Sequence, residues 1–330
     1  MSKDITKVKK VISTALDAAF HRALEQEQAE GELVLNINDQ RFIVFSDQHK
    51  GARDGADDFM VCERTYNAAL TYYDQQGYTL AVLGDVEELW EETAPTVLKA
   101  YSQTLNLEGK FHKDGRYLRV WGNHDDAWSH KDLVDRWLEP ALGGDLRVRE
   151  SLILHVRDGQ EELGRLFLLH GHQGTFDGEY IASLAKFVLR YIWRPIQRLF
   201  KISLNTPAKD FELRYALESA LYAWSEQQRK VVLIAGHTHH PVFKSESKEE
   251  FMRASPAEAE AKPVSPTMLA IEFKKPSYFN TGCCAYLNGD ITGLEFSDGE
   301  IRLVRWPDDE DRPKPKVLAK AKLEEVFAAC

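Results

Sequence analysis

Leu80-Ala81-Val82-Leu83-Gly84-Asp85 is four apolar residues in a row, then a glycine, then a carboxylate. A short apolar run closed by turn residues reads as a buried strand with a polar group just past its end. Upstream, Phe42-Ile43-Val44-Phe45 has the same form and runs into Ser46-Asp47-Gln48-His49. Between the two, the spacing predicts a helix that starts at an Asp57 or Asp58 cap, runs to Gln76 and stops at Gly77. Strand, helix, strand is a β-α-β unit. Further apolar runs at 33–37, 118–121, 152–156, 166–169 and 231–235 extend it, with helical or loop segments between most of them. The alternation predicts a layered α/β fold with partly parallel strands. The last third, with short strands at 268–273, 278–279, 291–296 and 301–306, reads as antiparallel.

The organisation around this core is uneven. Residues 1–30 read as an N-terminal amphipathic helix, 31–306 as the main domain and 307–330 as a charged tail. Within the domain, the strand texture gives way at 173–230 to a helical insertion, and 244–266, rich in Ser, Glu, Ala, Lys and Pro, reads as a mobile loop. The 330 residues are 43% hydrophobic, enough for a sizeable core, and the formal net charge is -10. That charge argues against wrapping a nucleic-acid backbone, which needs a dominant basic surface. No run of eighteen apolar residues appears and the first residues lack a secretory pattern, so the expected location is the cytoplasm. The four cysteines, Cys62, Cys283, Cys284 and Cys330, form neither a disulfide framework nor a C-x-x-C zinc spacing, and Cys283 and Cys284 read as small buried residues.

Five polar clusters follow five of the apolar runs: Asp47-Gln48-His49, Gly84-Asp85, Gly122-Asn123-His124-Asp125, His170-Gly171-His172 and Gly236-His237-Thr238-His239. Residues just past strand ends converge on one crevice in an α/β sheet. Carboxylate and amide oxygens with imidazole nitrogens, and no thiolate, suit manganese, iron, zinc or magnesium. An isolated Asp-x-His or Gly-Asp is more often a turn or a cap than a metal ligand. Five such clusters in this order argue for a catalytic metal site.

The ordered set Asp-x-His, Gly-Asp, Gly-Asn-His-Asp, His-Gly, Gly-His-x-His, from Asp47 to His239, resembles the signature of the calcineurin-like metallophosphoesterase family. The resemblance implies a four-layer α/β/β/α sandwich with mixed sheets and a helical lid insertion. It implies two divalent cations, manganese first, with iron, zinc or magnesium as alternatives. One ion would be held by Asp47, His49, Asp85 and His239, the other by Asp85, Asn123, His170 and His237, with Asp85 bridging. His124 would be the acid that does not coordinate, and Glu88, three residues after Asp85, the carboxylate that orients it. The competing reading of Glu87, Glu88, Glu91 and Glu92 is an exposed acidic run.

Within the family, Gly84-Asp85-Val86-Glu87-Glu88-Leu89-Trp90, Gly236-His237-Thr238-His239-His240-Pro241 and Tyr278-Phe279-Asn280-Thr281-Gly282 are most similar to the UDP-2,3-diacylglucosamine diphosphatase branch, although many members of that branch carry arginine where His124 stands. The expected substrate is a phosphoester or a lipid-linked pyrophosphate, with a soluble phosphodiester or phosphomonoester, such as a nucleotide, as the alternative. A non-catalytic metal-site scaffold is the reading of another class. Candidate substrate contacts are Lys50, Arg53, His172, Arg190, Arg194 and Asn280. In the lid, apolar residues from Ile181 to Leu199 at helical spacing run beside Lys186, Arg190, Arg194, Arg198 and Lys201. Such a helix either lies peripherally on the inner membrane or docks on its own domain.

Overall fold

Alternate residues along a strand face opposite ways, and in the central strands both faces are apolar, so each of those strands feeds two cores. The computed structural model describes residues 2–174, 211–243, 275–309 and 311–330. Among these residues, thirteen strands form two sheets. The first has the order β1 (Leu33–Asn36), β6 (Ser151–Asp158), β7 (Glu161–Leu169), β8 (Val231–Ala235), β10 (Tyr278–Thr281), β9 (Pro241–Phe243). The second runs β13 (Lys316–Lys322), β12 (Glu300–Trp306), β11 (Ile291–Ser297), β2 (Phe42–Phe45), β3 (Thr79–Leu83), β4 (Tyr117–Val120), β5 (Val148–Arg149).

Phe42, Val44, Ala81 and Leu83 of the second sheet share one core with Leu152, Leu154, Leu166 and Leu168 of the first, so this core lies between the sheets. Ile43, Phe45, Leu80 and Val82 point the other way, into a core closed by α2 (Glu63–Gln75), α3 (Ala94–Ala100) and α4 (Ser102–Lys113). A short helical stretch, α5 (Lys131–Leu133) and α6 (Glu139–Leu142) around a π-helical turn, adds Val134, Leu138 and Leu142 to it. Ile153, Phe167 and Leu169 point outward from the first sheet against α1 (Ser2–Glu30) and α7 (Phe211–Gln227). The layers are therefore α/β/β/α with mixed sheets, as expected from the sequence.

Parallel pairing places the site. β2, β3, β4 and β5 run parallel, as do β7, β8 and β10, so the residues that follow β2, β3, β4, β7 and β8 leave their sheets at carboxyl ends.

Several expectations change in detail. β10 joins the first sheet parallel to β8, whereas β11, β12 and β13 are antiparallel. The reason is burial: all four residues of β10 are buried, and it fills the slot between β8 and β9. The helix after β2 begins at Glu63, preceded by a 3-10 turn, and Asp57 makes no capping bond, because its carboxylate accepts from the Arg53 amide and the Tyr101 hydroxyl. The charged tail adds β13, an edge strand with Lys316, Lys320 and Lys322, and then α8 (Leu323–Ala329), which sends Leu323, Val326 and Phe327 into the inter-sheet core. Residues 175–210 and 244–274, which hold most of the expected lid, Arg190, Arg194 and the loop at 244–266, lie outside the described residues.

α1 buries Ile12, Leu16, Ala19 and Ala23, spaced to form one helical face. Leu16→Ala should lower unfolding stability by about 2–5 kcal/mol in urea titrations, the usual result of a cavity at a fully buried leucine. A helix that was only an appendage would lose nothing.

Candidate metal centre

Five of the eight non-glycine residues with positive φ among the described residues are expected ligands: Asp47 (55°), His49 (50°), Asp85 (51°), His237 (66°) and His239 (56°). Left-handed backbone costs an L-residue on the order of 1–2 kcal/mol. It persists here because the loops are tied together. The Asp47 amide donates to the Gly84 carbonyl at 3.1 Å, the His49 amide to Asp85 at 2.8 Å, and the Gly236 amide to His170 at 2.9 Å. A further bond crosses between the sheets, from the Cys284 amide to the Asp47 carbonyl at 3.1 Å. Gly84 allows this closeness: a Cβ there would meet the Gly122 nitrogen at 2.6 Å, and its φ is +80°.

The donor atoms gather in two groups. Nε2 of His239 lies 3.2 Å from Asp47 Oδ1 and 3.2 Å from His49 Nε2. In the second group, His170 Nε2 lies 3.1 Å from Asp85 Oδ2 and 3.2 Å from His237 Nδ1. Asp85 Oδ2 also faces His49 Nε2 at 3.7 Å, so one carboxylate borders both groups. Asn123 Oδ1 is buried with no hydrogen-bond partner among the described residues. An orphaned buried amide oxygen beside crowded ring nitrogens and carboxylates is a poor arrangement for a protein alone. It suits cations, and the mixed oxygen and nitrogen set suits divalent ions. Six of the seven residues expected to hold the ions, all but Asn123, lie in groups of side chains able to hold a cation.

Charge follows from this packing. Burial pushes the Asp47 carboxyl up, but the His239 and His170 charges outweigh it and bring it down to about 2. Asp85 is likewise pushed up by burial, yet His170 and His124 hold it well below the carboxylate range. Burial lowers His170, but Asp85 and Asp47 outweigh it and raise it to about 9. His237 falls to about 3 through burial and its neighbour His170. A proton on His170 therefore stands where a cation would.

His124 belongs to neither pair of facing nitrogens, although its ring lies within 4.8 Å of donor atoms of His49 and Asp85. Its amide donates to Asp85 Oδ1 at 2.8 Å, its Nδ1 meets Glu88 Oε1 at 2.8 Å, and Trp90 stacks on its ring at 4.4 Å and 18°. Burial lowers its pKa, but Glu88 and Asp85 outweigh that and raise it to about 10. Glu88 itself, raised by burial, is brought down to about 2 by His124 and His49. The same carboxylate also holds His49 Nδ1 at 3.0 Å. Glu87, Glu88, Glu91 and Glu92 are all buried, so the exposed-run reading fails for the whole group.

The candidate substrate contacts fare differently. Lys50 is fully buried, and its ammonium pairs with Glu108 at 2.5 Å, so it does not face the crevice. Arg53 donates to the Ala100 carbonyl and pairs with Glu63. Asn280 is buried, with its amide bonded to the Gly236 carbonyl at 2.7 Å and its oxygen to the Gly282 amide at 3.0 Å, so it braces the loop of His237 and His239. His172 stands beside Trp121, His170 and His237, with ring centroids 5.3, 5.4 and 6.3 Å away. Cys283 and Cys284 are buried free thiols.

Sequence reasoning assigned no role to Trp90, Ser46 or Asp125. Ser46 donates to Asp47 Oδ2, and Asp125 accepts the amides of Asp85, Val86 and Gly122. Asp125 and Trp90 lay inside motifs already singled out, whereas Ser46 carried no signal beyond its place before Asp47.

No family model and no curated protein matches the chain. Among solved structures it is similar to a conserved protein of Streptococcus pneumoniae TIGR4 described as a predicted phosphoesterase, with 14% identity, coverage of 84% of this chain and 97% of that one, and a TM-score of 0.33. It is also similar to a single mutant of Vps29 from Entamoeba histolytica, at 12% identity, 84% and 98% coverage and a TM-score of 0.32. Wild-type Vps29 from that organism, complexed with zinc, matches at 13% identity, 86% and 99% coverage and a TM-score of 0.31.

Two measurements follow. Because His170 is raised to about 9 without metal and must be neutral to ligate, cation uptake at pH 7 should release protons, and affinity should rise from pH 6 to pH 9. Calorimetry of manganese binding in buffers of different ionisation enthalpy reads both, and uptake without proton release contradicts the charge assignment. Lys50→Met should cost about 3–5 kcal/mol of stability, since it strands a buried carboxylate. A phosphate-binding lysine would instead raise KM and leave unfolding unchanged.

Proposed function

We propose that this chain is a metal-dependent phosphoesterase, hydrolysing a phosphate ester or anhydride at a centre of two divalent cations. The observation that carries the reading is His124, a histidine outside the facing donor pairs, clamped by Glu88, stacked by Trp90 and anchored to Asp85. A scaffold that only stores metal needs the ligands, and gains nothing from an acid held beside them. The donor set supports the same choice, because six of the seven expected donors fall in groups able to hold a cation and the seventh, Asn123, has an orphaned buried oxygen.

Two bound cations supply an activated water and neutralise charge on the phosphoryl oxygens. The chain's own residues do the rest. Asp47, His49, Asp85 and His239 form one donor group and Asp85, Asn123, His170 and His237 the other. With Nδ1 of His124 committed to Glu88, the ring's Nε2 edge is left to donate a proton to the leaving oxygen. Glu88 keeps the ring cationic and fixes its direction, and through His49 it ties that direction to the first donor group. Manganese is the proposed metal, given hard oxygen and borderline nitrogen donors without thiolate.

The organic part of the substrate is proposed on sequence alone. A lipid-linked pyrophosphate draws its support from the basic amphipathic stretch at 181–201, and so does peripheral membrane contact by a cytoplasmic protein. Among the described residues, no helix is long and apolar enough to cross a membrane.

The test is a manganese-supplemented panel of bis-aryl phosphate, aryl phosphate, cyclic nucleotides and UDP-2,3-diacylglucosamine. Asp85→Ala should stay folded and lose manganese-stimulated hydrolysis, and undiminished turnover would sink the reading. His124→Asn should lower kcat by about 10²–10⁴ with metal content unchanged. The loss should shrink for a nitrophenolate leaving group, which needs no proton.

A further inference from the structure

β4 carries a full charge where burial should forbid one. Arg119 is completely buried on a strand it shares with the core residues Tyr117 and Val120. Its guanidinium pairs with Glu87, lies 3.6 Å from Asp125 Oδ2 and donates to the Tyr117 hydroxyl at 3.3 Å. Glu87 also accepts from Trp128 Nε1 at 2.9 Å. The Tyr117 hydroxyl donates in turn to Glu108 at 3.3 Å, and Glu108 is the partner of Lys50. One buried polar chain thus runs Lys50, Glu108, Tyr117, Arg119, then Glu87 and Asp125. Lys50 belongs to the loop after β2, Glu87 to the loop after β3 and Asp125 to the loop after β4, so the chain joins the three ligand loops of the second sheet from beneath.

Asp125 is the link to the metal centre. Its Oδ1 accepts the amides of Gly122 at 2.6 Å and Asp85 at 3.2 Å, and its Oδ2 the amide of Val86 at 3.0 Å. Those bonds hold the left-handed turn at Asp85. Stability is a weak reason for the arrangement. Buried ion pairs are often no better than apolar replacements of the same volume. This one also leaves Glu87 Oε1 and Arg119 Nε without a hydrogen-bond partner among the described residues. What the network does achieve is a fixed relation between the loop of Asp85 and the loop of Asn123.

We propose that Arg119, acting through Asp125, is a positioning residue for the shared carboxylate Asp85, setting it to face both donor groups at once. The inference rests on the two-cation reading of the site, and its test reads metal binding apart from hydrolysis.

The decisive variant is the pair Arg119→Met with Glu87→Gln, which removes both charges of the buried pair together. Manganese affinity is measured by calorimetry, the spin coupling of the bound ions by electron paramagnetic resonance, and folding by urea titration. The variant should unfold cooperatively while binding manganese about 10–100-fold more weakly, and the coupled-pair signal should give way to that of isolated ions. Arg119→Lys, which keeps the charge and loses the planar fork, should bind about tenfold more weakly. Leu16→Ala is the control that loses stability far from the site and keeps manganese affinity. Wild-type affinity and coupling in the double variant overturn the proposal, and if that variant does not fold, the same result in Arg119→Lys overturns it. A wild-type chain that binds a coupled manganese pair yet hydrolyses no phosphoester sinks the proposed activity and leaves the role of Arg119 standing.

Discussion

A single buried carboxylate sets the terms for the rest of the site. Asp85 faces His170 and His49 with one oxygen and the His124 amide with the other, so its position fixes both donor groups and His124. Burial alone would protonate it, and the histidines around it keep it ionised. Its left-handed backbone carries strain that the amide bonds to Asp125 and the close pass of Gly84 by Gly122 sustain. Local cost is accepted where a donor must point at one place.

That place lies where two sheets end together. Asp47, Asp85 and Asn123 follow strands of one sheet, and His170 and His237 strands of the other. The inter-sheet core of leucine, valine and phenylalanine therefore fixes the distance between the two halves of the centre. Polar contacts complete the register across the gap: His170 Nδ1 on the Leu83 carbonyl at 2.7 Å, and the Ser46 hydroxyl on that of Thr281 at 2.6 Å. Packing and ligand geometry are one problem here, because a shift of one sheet past the other would part Asp85 from His170.

Electrostatics divides labour among chemically similar side chains. His170 and His237 are neighbours, yet carboxylates raise the first and burial with a cationic neighbour lowers the second. Glu88 and Glu87 are adjacent in sequence and serve opposite sides of the loop. Glu88 reaches the histidines in the crevice, and Glu87 turns down to Arg119 and Trp128. Lys50 and Arg119 show the same principle among cations, since both neutralise carboxylates beneath the centre.

The sequence by itself determined the layered α/β class, the strand ends and the identity of the residues that gather there. Those depend on local signals: short apolar runs, the helical spacing between them, and small polar clusters placed just after them. Tertiary structure alone decided direction and depth. Lys50 follows His49 directly and still points into the core, because the left-handed turn at His49 and the bridge to Glu87 aim its ammonium at the buried Glu108. Asn280 and Asp125 became braces, and Glu88 took a second histidine, through contacts between residues 36 to 44 apart in the chain, which no local pattern encodes. β10 joined the first sheet parallel to β8 for a like reason, since its partner was chosen by the burial available beside β8 and not by its own short sequence.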